Sequence, residues 1–490
     1  LSRLRPLALV LPLVLAACAV GPNYKRPALS TSAGYGAEAT APPEAAYGAL
    51  HLDAGADVAA DWWRVFHCAA LDDLVSQALT HSPTIDAARQ ALRAAHEQSA
   101  AQRGAYFPTV GLSLQPSRQN VAPTLASGAQ SGADLYSLTT TQVSVSFVPD
   151  LFGANRRAVE SLVAQEDQQR LELEAARLTL ASNVAQAAIQ DALLRAQIES
   201  ARMMIADQET TYASFQRQYQ LGQASKADVA AQETLLAQAR AALPPLEKQF
   251  RINRDLLTAL VGRTPAEPVE VKFDFADLSL PTELPLSLPG DLVRHRPDVR
   301  MAEAQLHAAS AQVGVAAAAR WPNLTLDGAA GSAALGGTPR FDSATNFWSI
   351  AATLTQPVFE GGTLLHREGA AKAAYRQAAA QYQGAVVAAF QNTADTLHAL
   401  WTDADAQAAA ETADAAASRG LDIARKQLAL GDVSRLAVLS AEQARMQTRM
   451  ALLQARANRY DDVVALYQAL GGGWWNAPDE GRGRGKKVGN

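Results

Sequence analysis

The side chains able to do chemistry are few and scattered. The eight histidines (residues 51, 67, 81, 96, 295, 307, 366 and 398) share no metal-ligand spacing, and no Gly-x-Ser-x-Gly elbow presents a nucleophilic serine. The glycine-rich run 328–337 lacks the Lys-Ser/Thr pair of a phosphate loop. Neither enzymatic activity nor a metal or other cofactor is expected. Two cysteines remain. Cys68 follows His67, but one such pair falls short of a zinc ligand set, so a buried structural thiol is expected. Cys18 stands in a different setting. Arg3 and Arg5 precede an apolar run, 7–15, too short to span a bilayer, and the small residues Ala16 and Ala17 come just before the cysteine. This is a signal-peptide layout, and its Leu-Ala-Ala-Cys ending has the form of a bacterial lipobox. There the thiol is diacylated and the cysteine becomes the new N-terminus. One acyl chain gives marginal membrane affinity and two anchor stably. Residues 1–17 are therefore expected to be a signal peptide and Cys18 the lipidation site. Ala19, in place of an aspartate, favours the outer membrane by the bacterial sorting rule. Only Cys68 would then keep a free thiol, so no intramolecular disulfide is expected.

The elements that must carry this anchored chain are helix-prone. Of the 490 residues 104 are alanine, which accounts for much of the 48% hydrophobic content, while only 19% are charged and 6% aromatic. A disordered chain would be less apolar and more charged. A polytopic helical membrane protein needs several apolar runs of about 20 residues, and none follows residue 18. Nucleic-acid binding is disfavoured by 43 basic against 48 acidic residues, with no basic patch beyond the tail at 482–487.

Five landmarks recur in one order. Ser82-Pro83-Thr84-Ile85 returns as Arg296-Pro297-Asp298-Val299, and Phe107-Pro108-Thr109-Val110 as Trp321-Pro322-Asn323-Leu324. Val148-Pro149-Asp150-Leu151-Phe152-Gly153 answers to Gln356-Pro357-Val358-Phe359-Glu360-Gly361, Tyr219-Gln220-Leu221-Gly222 to Leu428-Ala429-Leu430-Gly431, and Ala259-Leu260-Val261-Gly262 to Ala469-Leu470-Gly471-Gly472. A two-fold internal repeat follows. The first copy is placed at 70–262 and the second at 290–472. They are joined by a proline-rich linker at 263–289, preceded by a lipidated segment at 18–69 and followed by a tail at 473–490.

Each copy has one grammar. A helix of about 22 residues follows the proline (84–106 and 298–320). Two strands come next, with apolar Val110, Leu112, Leu114, then Val143, Val145, Phe147, alternating with polar neighbours; Leu324, Leu326, then Trp348, Ile350, Leu354 do the same in the second copy. A long helical run (154–220 and 363–430) follows, about 100 Å at 1.5 Å per residue. In it Leu173, Leu180, Ala187 and Leu194 recur every seven residues, with Val184 and Ile198 four after two of them, the spacing of a coiled coil. Gly222 or Gly431 ends the run and a return helix follows (225–262 and 434–470). Pro244-Pro245 is expected to kink or interrupt the first return helix.

Two strands per copy make four per chain. About eight is the smallest closed barrel, and an open sheet edge cannot face lipid because its backbone groups would stay unsatisfied. Strands that span a membrane would therefore need several chains around one axis, and three chains give twelve. A soluble helical-bundle lipoprotein with no pore is the contrasting reading.

These residues resemble a known family. The repeat, with Cys18-Ala19-Val20-Gly21-Pro22-Asn23-Tyr24-Lys25-Arg26-Pro27, Asp61-Trp62-Trp63-Arg64-Val65-Phe66, Leu71-Asp72-Asp73-Leu74 and Arg296-Pro297-Asp298-Val299-Arg300, is similar over about 18–475 to the outer-membrane efflux lipoproteins of the NodT type, within the TolC-like channels. The resemblance implies a mainly α protein with β. Three protomers would form a 12-stranded outer-membrane β-barrel continued by a 12-helix periplasmic α-barrel, with a small equatorial mixed region. It implies a passive conduit in a tripartite efflux pump for drugs or other small toxic compounds. The partners implied are a homotrimer, a periplasmic adaptor (membrane fusion) protein, an inner-membrane transporter of the resistance-nodulation-division (RND) type and outer-membrane lipid, with no nucleic acid. The export channel of a type I protein secretion system shares the tunnel and stands as an alternative. Such tunnels close at the periplasmic tip, which here falls at the turns 221–228 and 430–440. Asp228 matches a family aspartate, and Ala437 stands at the corresponding place in the second copy, with Asp432 nearby. Asp228 and Asp432 are the gate candidates, and Asp228 reads equally as a first-turn acid stabilised by the helix dipole. Candidate adaptor contacts are Tyr219, Gln220, Gly222, Ser225 and Lys226, with Gln427, Gly431, Ser434 and Arg435. Ser225 and Ser434 also read as plain N-caps. His67-Cys68-Ala69-Ala70 departs from the family's usual Asp-Pro pair, so a different cap is expected at the first helix.

Overall fold

The computed structural model describes residues 19–28, 51–120, 135–286, 289–336 and 340–477. Cys18, its signal segment and the tail beyond residue 477 lie outside the described residues. In chain order the elements are β1 (His51–Ala54), α1 (Ala69–His81), α2 (Pro83–Arg103), β2 (Thr109–Asn120), β3 (Leu135–Phe147), α3 (Ala154–Gln220), α4 (Lys226–Leu260), β4 (Glu283–Leu286), α5 (Pro289–His295), α6 (Pro297–Ala318), β5 (Asn323–Leu335), β6 (Asn346–Thr355), α7 (Thr363–Leu430) and α8 (Arg435–Ala469). From α1 onward the series helix, helix, strand, strand, long helix, return helix occurs twice. The long helices have 67 and 68 residues and the return helices 35 each. Pro83 and Pro297 open α2 and α6 at the first helical position, where the missing N–H is not needed. No described helix is long and apolar enough to cross a membrane.

The chain divides into two compact units. The first comprises the described residues among 19–27, 92–169 and 302–382. Its centre is a four-stranded antiparallel sheet of order β2-β3-β5-β6. The register places Val110 opposite Val145 and Leu112 opposite Val143, then Val145 opposite Gly328, itself opposite Ile350, and Ala330 opposite Trp348. Directly paired residues share a face, so these side chains make one apolar side. Thr109, Gly111 and Ser113, paired with Ser146, Ser144 and Gln142, make a polar one. Neither side is a core. Leu112 is 77% exposed, Trp348 76% and Ile350 83%. The edges of the sheet are β2 and β6.

The second unit comprises the described residues among 28–91, 170–301 and 383–477. Its core follows the expected heptad seam: Leu173, Leu180, Val184, Ala187, Leu194 and Ile198 are all buried. A short 3-10 helix, Trp62–Phe66, adds Trp62 stacked on Tyr467 at 5.3 Å and a fully buried Phe66 beside Tyr460. Cys68 is buried and sits at the N-cap of α1 without a side-chain cap bond, after His67 in a left-handed conformation. Two short parallel strands, β1 and β4, pair Leu52 with Leu284.

The structure rules out one of the two outcomes expected of Pro244-Pro245, interruption. Helix α4 continues through Pro244 and Pro245 without interruption. Both prolines and the residues four before them, Arg240 and Ala241, are exposed. The two carbonyls that lose their helical N–H donors thus belong to exposed residues, where solvent is available in the donors' place.

Candidate functional site

The two turns that close the helical hairpins share one backbone design. After α3, the Gly222 N–H donates to Tyr219 O at 3.0 Å and the Gln223 N–H to Gln218 O at 2.8 Å. After α7, the Gly431 N–H donates to Leu428 O at 3.1 Å and the Asp432 N–H to Gln427 O at 2.9 Å. These paired bonds are the Schellman termination. It needs a left-handed residue, which Gly222 (φ 74°) and Gly431 (φ 82°) supply.

The side chains then diverge. Ser225 caps α4 by accepting from the Asp228 N–H at 3.1 Å, while the Asp228 carboxylate accepts from the Ser225 N–H at 2.9 Å and from its hydroxyl at 2.8 Å. This reciprocal capping box, with a further contribution from the Arg435 charge, holds the Asp228 carboxyl below its ordinary range. Ser434 occupies the same place before α8 and makes no side-chain cap bond. The residue three further on is Ala437, which has nothing to return.

Arg435 reaches instead to the first turn. Its guanidinium donates to the Gln218 side chain and to Gln223 O, and lies 4.7 Å from the Phe215 ring centre. Thus Asp228 and Arg435, expected in separate roles, lie within electrostatic reach of one another. Gly222, Ser225, Lys226, Gln220, Gln427, Gly431, Ser434 and Asp432 are exposed, as is Tyr219 at 48%. So are three apolar residues absent from the expected set: Leu221, Leu430 and Leu436, each two-thirds or more exposed. Leu221 and Leu430 directly precede the repeated glycines, which was the available signal for them.

Farther along these helices lies a buried polar chain that sequence reasoning missed. The Gln232 amide of α4 donates to Gln208 of α3, the Gln208 amide donates to Glu442 of α8 at 2.8 Å, and Arg425 of α7 donates to the other Glu442 oxygen at 3.0 Å. Gln232, Gln208 and Glu442 are buried. Withdrawn from water, these groups are tolerable only when paired, and their pairing joins all four helices of the two hairpins. Isolated glutamines on otherwise apolar seams carry no periodic signature.

In the first unit, residues 19–27 form a strap docked by its own motif. Val20 N–H donates to Phe152 O at 3.1 Å. The Arg157 guanidinium donates to Asn23 Oδ1 at 2.6 Å. Tyr24 stacks on His307 at 4.3 Å, and Arg26 pairs with Glu303 at 2.5 Å. Burial, and next the Glu303 carboxylate, push the Tyr24 hydroxyl above its usual range. A side chain at Gly21 would meet the Gly314 backbone at 2.4 Å, so only glycine permits this approach. Gly21, Asn23, Tyr24 and Arg26, four of the residues behind the family resemblance, are thus docking contacts.

The comparisons with known proteins agree with this architecture. The family model described as outer membrane efflux protein matches residues 74–263 and 288–472. The pyoverdine export outer membrane protein OpmQ of Pseudomonas aeruginosa is 31% identical over 447 residues, covering 86% of this chain and 90% of its own. The outer membrane protein OprJ of the same organism is 27% identical, covering 97% and 96%. Among solved structures, the outer-membrane channel OprN superposes with a TM-score of 0.84 at 25% identity over 93% of this chain and 100% of its own. The outer membrane protein VceC of Vibrio cholerae gives 0.79 at 27% over 85% and 100%. The chain belongs to the outer membrane efflux protein family.

Proposed function

We propose that three copies of this outer-membrane efflux channel close their sheets into one twelve-stranded barrel. The assembly is a passive exit duct for small toxic compounds in a tripartite pump. The observation that carries this reading is the sheet of the first unit. An apolar side exposed at Leu112, Trp348 and Ile350 suits lipid, and a polar side of Ser, Thr and Gln suits a water-filled lumen. The edges β2 and β6 need strand partners in hydrocarbon, and a ring of copies supplies them. The exposed turns, with Leu221, Leu430 and Leu436 beside the polar candidates from Tyr219 to Lys226 and from Gln427 to Arg435, are the surface offered to a periplasmic adaptor. Energy then comes from an inner-membrane transporter of the RND type. A lipid on Cys18 adds anchorage, in keeping with a strap that begins one residue later. Relatives named for pyoverdine export and toluene efflux support small-molecule cargo over a secreted protein.

Cysteine pairs placed along β2 and β6 test the closure. Oxidation should yield a covalent trimer on a non-reducing gel at one register; a ladder without a trimer maximum, or monomer at every register, contradicts it. Deletion of the gene should sensitise cells to drugs, dyes or solvents, and unchanged sensitivity to all of them counts against the efflux role.

A further inference from the structure

Four of the chain's five methionines line one cleft. Met203 and Met204 of α3 and Met446 and Met450 of α8 border a half-open space of about 540 Å³ within the second unit, with Asp414, Leu421 and Arg425 of α7 on its third side. The placing is regular. Met203 and Asp207 are one turn apart on α3, and Glu442, Met446 and Met450 follow at one-turn steps on α8, so each set shares a helix face. Methionine commonly fills gaps in packed cores. Here Met203 is 56% exposed and the other three are partly exposed, so the thioethers border solvent instead of filling the seam.

The charges around them are nearly all committed. Glu442 is bonded to Arg425 at 3.0 Å, Asp207 lies 3.7 Å from the same guanidinium, and Asp414 lies 3.6 Å from Arg449. Three arginines, Arg425, Arg445 and Arg449, balance the three acids of the lining. A hard divalent ion would find no surplus of anionic oxygen there. One atom stands apart: Asp414 Oδ1 is out of solvent and has no hydrogen-bond partner. It leaves a single unmatched acceptor beside a cluster of neutral sulfur donors. Neutral thioethers are soft ligands that select d10 monovalent cations over zinc, calcium or magnesium.

We propose that this cleft is a binding site for a soft monovalent metal cation, Cu(I) or Ag(I), held by thioethers of Met203, Met204, Met446 and Met450 with the unpartnered Asp414 Oδ1 as an oxygen donor. Binding is ligation alone, with no change of oxidation state. Met301, the fifth methionine, is on α6 and outside the cleft, which gives an internal control.

Silver ion is the probe, added as nitrate in chloride-free buffer to the full-length detergent-solubilised protein. The protein carries 13C-methyl methionine and Cys68→Ala, so that this thiol does not compete. Methyl resonances from the four cleft methionines should shift and saturate near one silver per chain while that of Met301 stays. The pair Met446→Leu/Met450→Leu preserves volume and hence fold, and should weaken binding at least tenfold; Asp414→Asn should weaken it several-fold. The proposal is overturned by an absence of shifts, by a Met301 shift of equal size, or by unchanged binding in the leucine pair. An apolar dye that perturbs the four methyl groups where silver does not would also overturn it, and would make the cleft a site for organic molecules.

Discussion

The two helical turns have the same backbone and different chemistry. Each ends its long helix at a left-handed glycine and starts its return helix at a serine. The first is self-sufficient, because Ser225 and Asp228 satisfy one another. The second, with Ala437 at the answering position, has no such box, and the residue after its serine leans on the first turn through Gln218, Gln223 and Phe215. A duplicated unit has therefore kept its geometry while dividing its roles: one tip caps itself, and the other is bonded to it.

That division can be broken at several depths. The largest effect is expected where the two hairpins share buried polar groups. Glu442→Ala strands both Gln208 and Arg425, and should cost about 2–4 kcal/mol, read as a lower chemical-denaturation midpoint. A loss below about 0.5 kcal/mol would mean that the chain of contacts from Gln232 to Arg425 does not join the hairpins. Next come the caps. Ser225→Ala should cost about 1 kcal/mol, whereas Ser434→Ala should cost a few tenths at most; equal losses would erase the distinction between the turns. Arg435→Ala removes a partly exposed contact and should lower global stability by about 0.5 kcal/mol or less. It should nonetheless speed amide exchange at Gln223 and Gly222, and exchange that stays unchanged would show the second tip to be independent of the first. The smallest effect is a pH dependence. The Asp228 carboxyl sits lower in the folded chain than its ordinary value near 3.8, so its contribution is present above that value and is lost as pH falls through the folded one. The difference between the Ser225→Ala and Ser434→Ala variants should therefore narrow below about pH 3.8, and a constant difference would assign the cap to the serine alone.

Asp462 gives the opposite sign elsewhere on α8. Burial, and then the Asp403 charge, push its carboxyl up to about 7. Between its unfolded value and about 7 the folded chain holds the extra proton, so stability falls as pH rises through that window. Burial pushes the neighbouring Asp461 up to about 7 as well, so thermal midpoints should be higher near pH 5.5 than near pH 8, Asp462→Asn should reduce the trend, and Asp461→Asn/Asp462→Asn should flatten it.

Periodicity explains what could be read in advance. The heptad from Leu173 to Leu194 and the alternation through Val110 and Leu112 report local geometry that repeats along the chain, and both appear as a buried seam and a one-sided sheet. The two halves of the capping box were legible only singly, Ser225 as an N-cap and Asp228 as a first-turn acid, although serine followed three residues later by an acid is a local code. Long-range pairs leave no such trace. The strands His51–Ala54 and Glu283–Leu286 are four residues each and lie more than 220 positions apart. Nothing around Gln208 or Gln232 announces their bond, and the reach of Arg435 to Gln218 depends on how two copies meet. The tolerance of α4 for Pro244-Pro245 depends on exposure, which the dipeptide itself does not reveal.

The proposed trimeric pore, with its periplasmic entrance closed at these turns, is tested most directly by recording current across a planar bilayer that contains the purified full-length protein. The account predicts discrete conductance steps that grow when the tips are loosened by Arg435→Ala or Asp228→Ala. Folded protein that inserts yet passes no current, with both tip variants equally silent, would contradict it.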